Sequence, residues 1–258
     1  MKTKFAYRHL IKELAISDFS LRYKNSMLGY LWSLIKPIAM FGTLYVVFSI
    51  WIRFDVEHYP LFLLLGIILW NYLAEATITG MNSLLTKASL IQKISFPREM
   101  IVIASNITTL LTLFLNLTIF FIFVIIVRPE FWNTFHSSIL IFPLYVLELF
   151  LLATGLSLFL SSFYLKFRDL SHIWEITLTI GFWLTPIVYS LSLIPPKYHQ
   201  LLYLNPVARI IEDSRLALIS FQIPTMRHLL FTLITVMIIF GIGWYTFKKR
   251  SPYFAEDI

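Results

Sequence analysis

The stretch from residue 100 to residue 127 reads MIVIASNITTLLTLFLNLTIFFIFVIIV and contains no charged residue. A helix of about 20 mainly apolar residues is long enough to cross the hydrocarbon core of a bilayer. Five further runs have the same character, and they cover residues 31–52, 61–85, 138–163, 173–191 and 229–247. The sequence therefore predicts an all-α integral membrane protein with six transmembrane helices.

The composition of the whole chain agrees with this fold class. Of 258 residues, 58% are hydrophobic and only 14% are charged, and the mean hydropathy is +0.77. A soluble domain usually carries about 25% charged residues, and one core of this size cannot bury so much apolar surface. The numbers argue against a soluble enzyme, a disordered regulator and a nucleic-acid-binding protein, although the net charge is +7.

The positions of Lys and Arg predict the orientation. If the N-terminus is cytoplasmic, the inner segments are residues 1–36, 87–98, 164–172 and 248–258. These segments hold 15 of the 21 cations, and cytoplasmic segments of membrane proteins are enriched in Lys and Arg. We expect a cytoplasmic N-terminal segment over residues 1–30, a six-span domain over residues 31–258, and a cytoplasmic tail from residue 248.

Residues 192–226 lie between the fifth and sixth runs, and the middle of this segment, residues 201–221, is apolar enough to resemble a seventh span. Four charged residues in this segment argue against a span, namely Arg209, Glu212, Asp213 and Arg215. Each charge at the bilayer centre costs about 2.5–3.5 kcal/mol, and four prolines divide the segment into short pieces. We expect an outer helical hairpin that lies at the interface or re-enters the membrane.

Motifs for catalysis and for cofactor binding are missing from the sequence. No pair of the eight glycines has the spacing of a phosphate-binding loop, and no H-E-x-x-H sequence occurs. Cysteine is absent, which excludes Cys-ligated metal. We expect no catalytic residue, no metal site and no cofactor in this chain.

The N-terminal segment has the pattern of an amphipathic helix. Tyr7, Leu10, Ile11 and Leu14 follow the i, i+3, i+4, i+7 spacing of one helical face, and charged residues occupy the opposite face. Two interpretations remain open. The helix can rest on anionic headgroups at the membrane surface, or it can also present a face to a cytosolic partner.

Four short motifs follow one another along the chain. They are RYKNSMLGYLW at residues 22–32 with Pro37 beyond it, ISFPRE at residues 94–99, FRDL at residues 167–170, and Asn205-Pro206 followed by Arg215. Their order and spacing resemble the permease subunits of ABC exporters for O-antigen, capsule and teichoic acid, often called Wzm-like.

This resemblance implies a homodimer in the cell inner membrane that exports a lipid-linked polysaccharide, while separate cytoplasmic ATPase subunits bind ATP and Mg. It also implies that the N-terminal helix and the first inner loop contact the ATPase, although an ordinary basic loop is the alternative. The candidate contact residues are Tyr7, Leu10, Ile11, Leu14, Lys93, Phe96, Pro97, Arg98 and Glu99. The candidates for an outer gate in the hairpin are Asn205, Pro206, Arg209 and Arg215.

Aromatic residues make up 17% of the chain, and aromatic rings can stack on the C–H faces of sugars. The candidates for the translocation pathway are Phe41, Tyr45 and Phe48 in the first span and Phe182, Trp183 and Pro186 in the fifth. The alternative is lipid-facing packing, which we expect for Leu178. We expect Pro186 to kink the fifth span, because proline removes a backbone hydrogen bond.

Charged residues in or near the spans suggest two further roles. Arg22, Lys24 and Lys36 are candidates for binding a lipid-linked pyrophosphate headgroup, and the alternative is ordinary anchoring at the inner surface. Glu75 and Glu148 lie within predicted spans, where polar residues usually connect helices. The competing hypothesis is a proton relay in a proton-coupled secondary transporter.

Overall fold

A computed structural model describes residues 2–23, 29, 31–54, 56–93, 96–128 and 137–254, which form helices and turns and contain no strand. The α-helices of these residues are α1 (Lys2–Tyr23), α2 (Leu31–Tyr45), α3 (Tyr59–Thr86), α4 (Ala88–Lys93), α5 (Glu99–Val127), α6 (Phe142–Tyr164), α7 (Leu170–Leu184), α8 (His199–Tyr203), α9 (Pro206–Leu218) and α10 (Met226–Arg250). A π-helical turn, Val46–Trp51, extends α2, and a 3-10 turn, Ser137–Ile141, precedes α6. The predicted all-α class is confirmed.

Five helical stretches among the described residues are long and apolar enough to cross a membrane. They are Leu31–Trp51, Tyr59–Thr86, Glu99–Val127, Ser137–Tyr164 and Met226–Tyr253. These stretches correspond to the first, second, third, fourth and sixth of the runs read from the sequence.

The fifth run differs from the expectation. Helix α7 has 15 residues, which reach about 22 Å at 1.5 Å per residue, less than the roughly 30 Å of a bilayer core. The helix ends because Thr185 is extended, with φ −86° and ψ 136°, as expected for a residue before proline. The prediction that Pro186 kinks a continuing helix is therefore wrong, since the proline ends it.

The core of the bundle is formed by α3, which packs against α5 and α6, while α6 packs against α10. Small residues allow the close approach of these helices. A methyl group on Gly243 of α10 would collide with the backbone of Gly155 in α6, and one on Gly80 of α3 would collide with Ser157. The Ser157 hydroxyl donates to the carbonyl of Ala76 at 3.1 Å, so that α6 is also hydrogen-bonded to α3.

The segment between α7 and α10 contains the two short helices α8 and α9. Helix α9 has 13 residues, too few to span a bilayer, and most of them are buried against α3, α6 and α10. Of the four charged residues that argued against a span, Arg209, Asp213 and Arg215 are buried inside the protein and Glu212 is half-buried. The depth of α9 in a bilayer stays a prediction.

Helix α1 lies along α5. Ala15 is buried there, and its carbonyl accepts a hydrogen bond from the Thr108 hydroxyl of α5 at 3.2 Å. Asp18 pairs with Lys87, just beyond the end of α3, at 2.5 Å. These contacts attach α1 to the ends of two spans on the side where α3 ends and α5 begins.

Candidate translocation site

A cavity of 740 Å³ lies between α2, α3 and α7. Its walls combine aromatic rings, aliphatic side chains and a few polar groups. The lining residues are Met40, Thr43, Leu44, Trp70, Asn71, Ala74, Ile78, Glu175, Leu178, Thr179, Phe182 and Trp183. Such a mixture offers both ring faces and hydrogen-bonding groups to a guest.

Helix α7 forms one wall of this cavity and packs closely on α3. Gly181 permits the contact, because a methyl group there would come within 2.9 Å of the Trp70 ring. The Trp70 and Phe182 rings meet edge to face at 6.1 Å. Nearer the start of α7, the indole nitrogen of Trp174 donates to the Thr77 hydroxyl at 2.9 Å. The aromatic wall is therefore held by contacts to a buried helix.

The structure separates the predicted pathway residues into two groups. Phe182 and Trp183 line the cavity, and the Trp183 side chain is 52% exposed. Pro186 lies beyond the end of α7 and is not among the lining residues. Leu178 is buried and lines the cavity, so the expectation that it faces lipid is wrong.

The aromatic face of α2 is turned away from this cavity. Phe41 stacks on Tyr45 and meets Phe123 of α5 edge to face, in both cases with ring centroids 5.6 Å apart. Phe48 packs against the ring of Phe54. The face of α2 that does line the cavity carries Met40, Thr43 and Leu44, which the sequence interpretation missed.

A second groove, of 440 Å³, lies on the other side of α2, between α2, α3 and α5. Lys36, Asn71, Glu75 and Asn116 line this groove, and it shares Asn71, Ala74 and Ile78 with the first cavity. Tyr72 and Thr112 also line it, and their buried hydroxyls have no hydrogen-bond partner among the described residues. The charged and amide side chains on its walls make the groove suited to hydrated groups.

A third groove continues this polar path towards the start of α5. It is lined by Asp18, Asn82, Thr86 and Lys87 among others, and it shares Ile78 and Thr79 with the second. The polar path along α3 therefore runs from the ion pair of Lys87 to the aromatic cavity. Lys36 is exposed on it, whereas Lys24 and the side chain of Arg22 lie outside the described residues.

Arg215 connects three elements at the opposite end of α3. Its guanidinium donates to the carbonyls of Pro186 at 2.6 Å, Ile187 at 2.8 Å and Phe62 at 3.2 Å. The side chain is buried and lies over the Phe62 ring at 3.3 Å. Burial lowers the pKa of the Arg215 guanidinium to about 10, and the Glu212 carboxylate opposes this shift, so the group stays charged at neutral pH.

Asn205 ties the start of α9 to the end of α7. Its side-chain oxygen accepts from the Val207 backbone at 3.0 Å, which caps the helix, and its amide donates to the Thr185 hydroxyl at 3.0 Å. Pro206 occupies the first turn, where a missing N–H costs nothing. Among the residues predicted for the outer gate, Asn205, Pro206 and Arg215 thus meet at one junction that also contains Pro186.

Arg209 faces a different part of the bundle. Its guanidinium lies 4.3 Å from the Phe231 ring of α10 and 3.4 Å from the Thr235 hydroxyl. Its charge also interacts with Asp213 and with Glu148 of α6. Burial raises the pKa of the Asp213 carboxyl to about 6, with Glu212 adding to the shift and Arg209 opposing it. The sequence interpretation named no partner for Glu148; the structure places its buried carboxylate near the opposite charge of Arg209, but neither carboxylate oxygen has a hydrogen-bond partner among the described residues.

The residues predicted to contact an ATPase differ in accessibility. Lys93 is exposed at the end of α4. Arg98 donates to the Ser251 carbonyl, and Glu99 pairs with Lys248 of α10. Phe96 packs on the core near the end of α10, and Pro97 is half-buried. In α1, Leu10, Ile11 and Leu14 are half-buried, and the side chain of Tyr7 lies outside the described residues.

The described residues form a bundle of long apolar helices with an aromatic and polar cavity on one side of α3, between α2 and α7. Residues 9–219 match the family described as ABC-2 type transporter. The chain belongs to this family of membrane permeases.

Relatives of known description match nearly the whole chain. A Klebsiella pneumoniae protein described as O-antigen export system permease protein RfbA is 28% identical over 99% of this chain and 98% of its own length. A Myxococcus xanthus protein with the same description is 25% identical over 98% of this chain and 97% of its own length. The chain is similar to these permeases from end to end.

Proposed function

We propose that this chain is the membrane-spanning subunit of an ATP-driven exporter that moves a lipid-linked polysaccharide similar to O-antigen outward across the inner membrane. The observation that carries the proposal is the cavity between α2, α3 and α7 in a chain similar to O-antigen export permeases over its full length. The proposed role is transport, and the chemistry of ATP hydrolysis belongs to another chain.

Separate cytoplasmic subunits would bind ATP and Mg, since the sequence has no phosphate-binding loop. The exposed face of α1 and the end of α4, where Lys93 lies, are the parts of the chain that we assign to contact with these subunits. Arg98 and Glu99 would support this contact surface without touching the ATPase, because they bind Ser251 and Lys248 of the same chain.

The proposed assembly is a homodimer with six crossings per subunit. Both termini would be cytoplasmic, which agrees with the 15 of 21 cations on the inner segments. Helix α7 and the buried turn that follows it would make the fifth crossing together. A second subunit facing α7 would close the cavity and cover exposed side chains such as Trp183 and Leu184.

The cavity suits a passing sugar chain because its contacts are weak and repeated. The faces of Trp70, Phe182 and Trp183 would stack on sugar C–H groups. Thr43, Asn71 and other polar groups would exchange hydrogen bonds with successive hydroxyls. Neither kind of contact requires one sugar identity, so the chain would slide from one unit to the next.

The polar path along α3 would admit the headgroup. Lys36 on the second groove would attract phosphate through a charge-assisted hydrogen bond, and we assign the same task to Arg22 and Lys24. The junction of Arg215, Asn205 and Pro186 would then form the gate at the outer end of the path. In this scheme Arg209 supports the gate from the α10 side, through Phe231 and Thr235.

The second candidate function is proton-coupled transport. The observation that favours it is the fully buried carboxylate of Glu148 beside Arg209 and Asp213. Glu75, the other candidate, lines the second groove. Membership of the ABC-2 family favours ATP as the energy source.

The test of the cavity compares two substitutions on α7. Trp183→Ala removes a ring that lines the cavity, whereas Ile180→Ala removes a side chain that is equally exposed but is not among the lining residues. We expect export to fall about two- to tenfold for Trp183→Ala, since a ring contact contributes about 0.5–1.5 kcal/mol, and to stay near wild type for Ile180→Ala. Equal export by both variants, at equal membrane levels, would remove the cavity from the pathway.

A further inference from the structure

A separate concave site of 650 Å³ lies where α6 ends and α10 ends, away from the translocation cavity. It is lined by Phe163, Lys166, Tyr245, Thr246, Lys249, Arg250 and Tyr253. Three of these side chains are cationic and none is acidic. The site therefore presents a concentrated positive charge framed by aromatic rings and a hydroxyl group.

The cations of this site have no carboxylate partner in the described part of the chain. Lys166 and Lys249 are exposed, and the Arg250 guanidinium lies over the Phe163 ring at 4.4 Å. The neighbouring Lys248 behaves differently, because it pairs with Glu99. Among the described residues, one cation at the end of α10 is thus neutralised by a carboxylate and the cations of the pocket are not, which suits them to an external anion.

An apolar stripe on α10 leads directly into this pocket. Ile234, Ile238 and Ile242 are all more than half exposed and repeat at the four-residue spacing of one helical face. Tyr245 and Lys249 continue the same face into the pocket. Along the helix the order is aliphatic, then aromatic, then cationic, which is the order of an acyl chain, an interfacial layer and an anionic headgroup.

We propose that this pocket binds the phosphate of an anionic phospholipid whose acyl chains lie along the α10 stripe. Basic pockets between spans on the cytoplasmic side are suited to anionic lipid headgroups, and the assignment to that side rests on the proposed orientation. Free phosphate shares the headgroup chemistry, but it would leave the apolar stripe without a role. The site shares no lining residue with the cavity and the second groove that we assign to the exported substrate.

The test is native mass spectrometry of the purified full-length chain titrated with dioleoyl phosphatidylglycerol. The pocket variant combines Lys166→Gln with Lys249→Gln. The control variant combines Lys197→Gln with Arg227→Gln, which removes the same charge at exposed positions outside the pocket. We expect about thirtyfold weaker binding for the pocket variant, because each of the two cations near an anionic headgroup contributes about 1 kcal/mol, and less than about twofold weaker binding for the control.

Several results would overturn the assignment. Equal weakening in both variants would mean that the lipid responds only to total charge, and unchanged binding in the pocket variant would place the lipid elsewhere. Equal binding of dioleoyl phosphatidylcholine would show that the negative charge is not recognised. Displacement of the lipid by millimolar inorganic phosphate would identify a site for a free anion. Each readout is independent of export, so the exporter proposal can fail while this one stands.

Discussion

Replacement of Arg215 by Met should destabilise the protein more than any comparable change of an exposed arginine. Met has a similar length but cannot donate to the carbonyls of Pro186 and Ile187, which lie in a turn. The third acceptor, Phe62, lies in the first turn of α3 and keeps its helical hydrogen bond. Each buried acceptor left without a donor costs about 1–3 kcal/mol, so the expected loss of stability is about 3 kcal/mol.

The assay is the thermal unfolding midpoint of the purified protein, followed by loss of the monodisperse peak on size-exclusion chromatography. A loss of about 3 kcal/mol should lower the midpoint by about 6–12 °C for a chain of this size. Arg227→Met is the matched control, because it removes the same charge from an exposed residue and should shift the midpoint by less than about 2 °C. Equal shifts for both variants would refute the role of Arg215 in holding the turn.

Two further predictions concern close packing and helix capping. Gly243→Ala should lower the free energy of unfolding by about 1–3 kcal/mol, because the added methyl group meets the Gly155 backbone. Gly241→Ala is the control and should be neutral or stabilising, since nothing lies within 4 Å of its new methyl group. Similar thermal unfolding midpoints for the two variants would contradict the close packing of α10 on α6. Asn205→Ala should lower the free energy of unfolding by about 1 kcal/mol through loss of the helix cap. Asn205→Asp should recover most of that stability, because the carboxylate can still accept from the Val207 backbone although it cannot donate as the amide does. Equal stability of the two variants would exclude the cap.

The positions of the spans could be predicted because the bilayer imposes a simple requirement on length and polarity. Residues 100–127 satisfy it without any knowledge of their neighbours. The end of α7 could not be predicted in this way. Helix α7 stops at Leu184, and the buried carbonyls of the turn that follows need donors. Arg215 donates to the carbonyl of Pro186, which lies 29 residues earlier in the chain.

The face of α2 that lines the cavity was also beyond prediction from periodicity. The face with Phe41 and Tyr45 and the face with Met40 and Leu44 are both apolar. A helix that is apolar all round gives no signal for which face meets lipid, core or cavity. Only packing against Phe123 of α5 decides that Phe41 turns away from the cavity.

For the charged residues of the outer hairpin, the sequence gives a clear signal but does not reveal their partners. The sequence correctly indicates that Arg209 and Asp213 are costly in lipid, and this cost favoured a position at the interface. The structure buries both residues within protein, where their charges interact with each other and with Glu148 from α6. An electrostatic interaction between Glu148 in α6 and Arg209 in α9, which are far apart in the chain, is not visible in local sequence patterns.

The most direct test of the central claim is transport by proteoliposomes that contain this chain together with its ATPase subunits. We predict that translocation of the lipid-linked polysaccharide requires ATP, stops when vanadate is added, and continues when the proton gradient is collapsed. Translocation that proceeds without ATP and stops when the proton gradient is collapsed would contradict the account and would favour the carboxylates of Glu75 and Glu148 as the coupling groups.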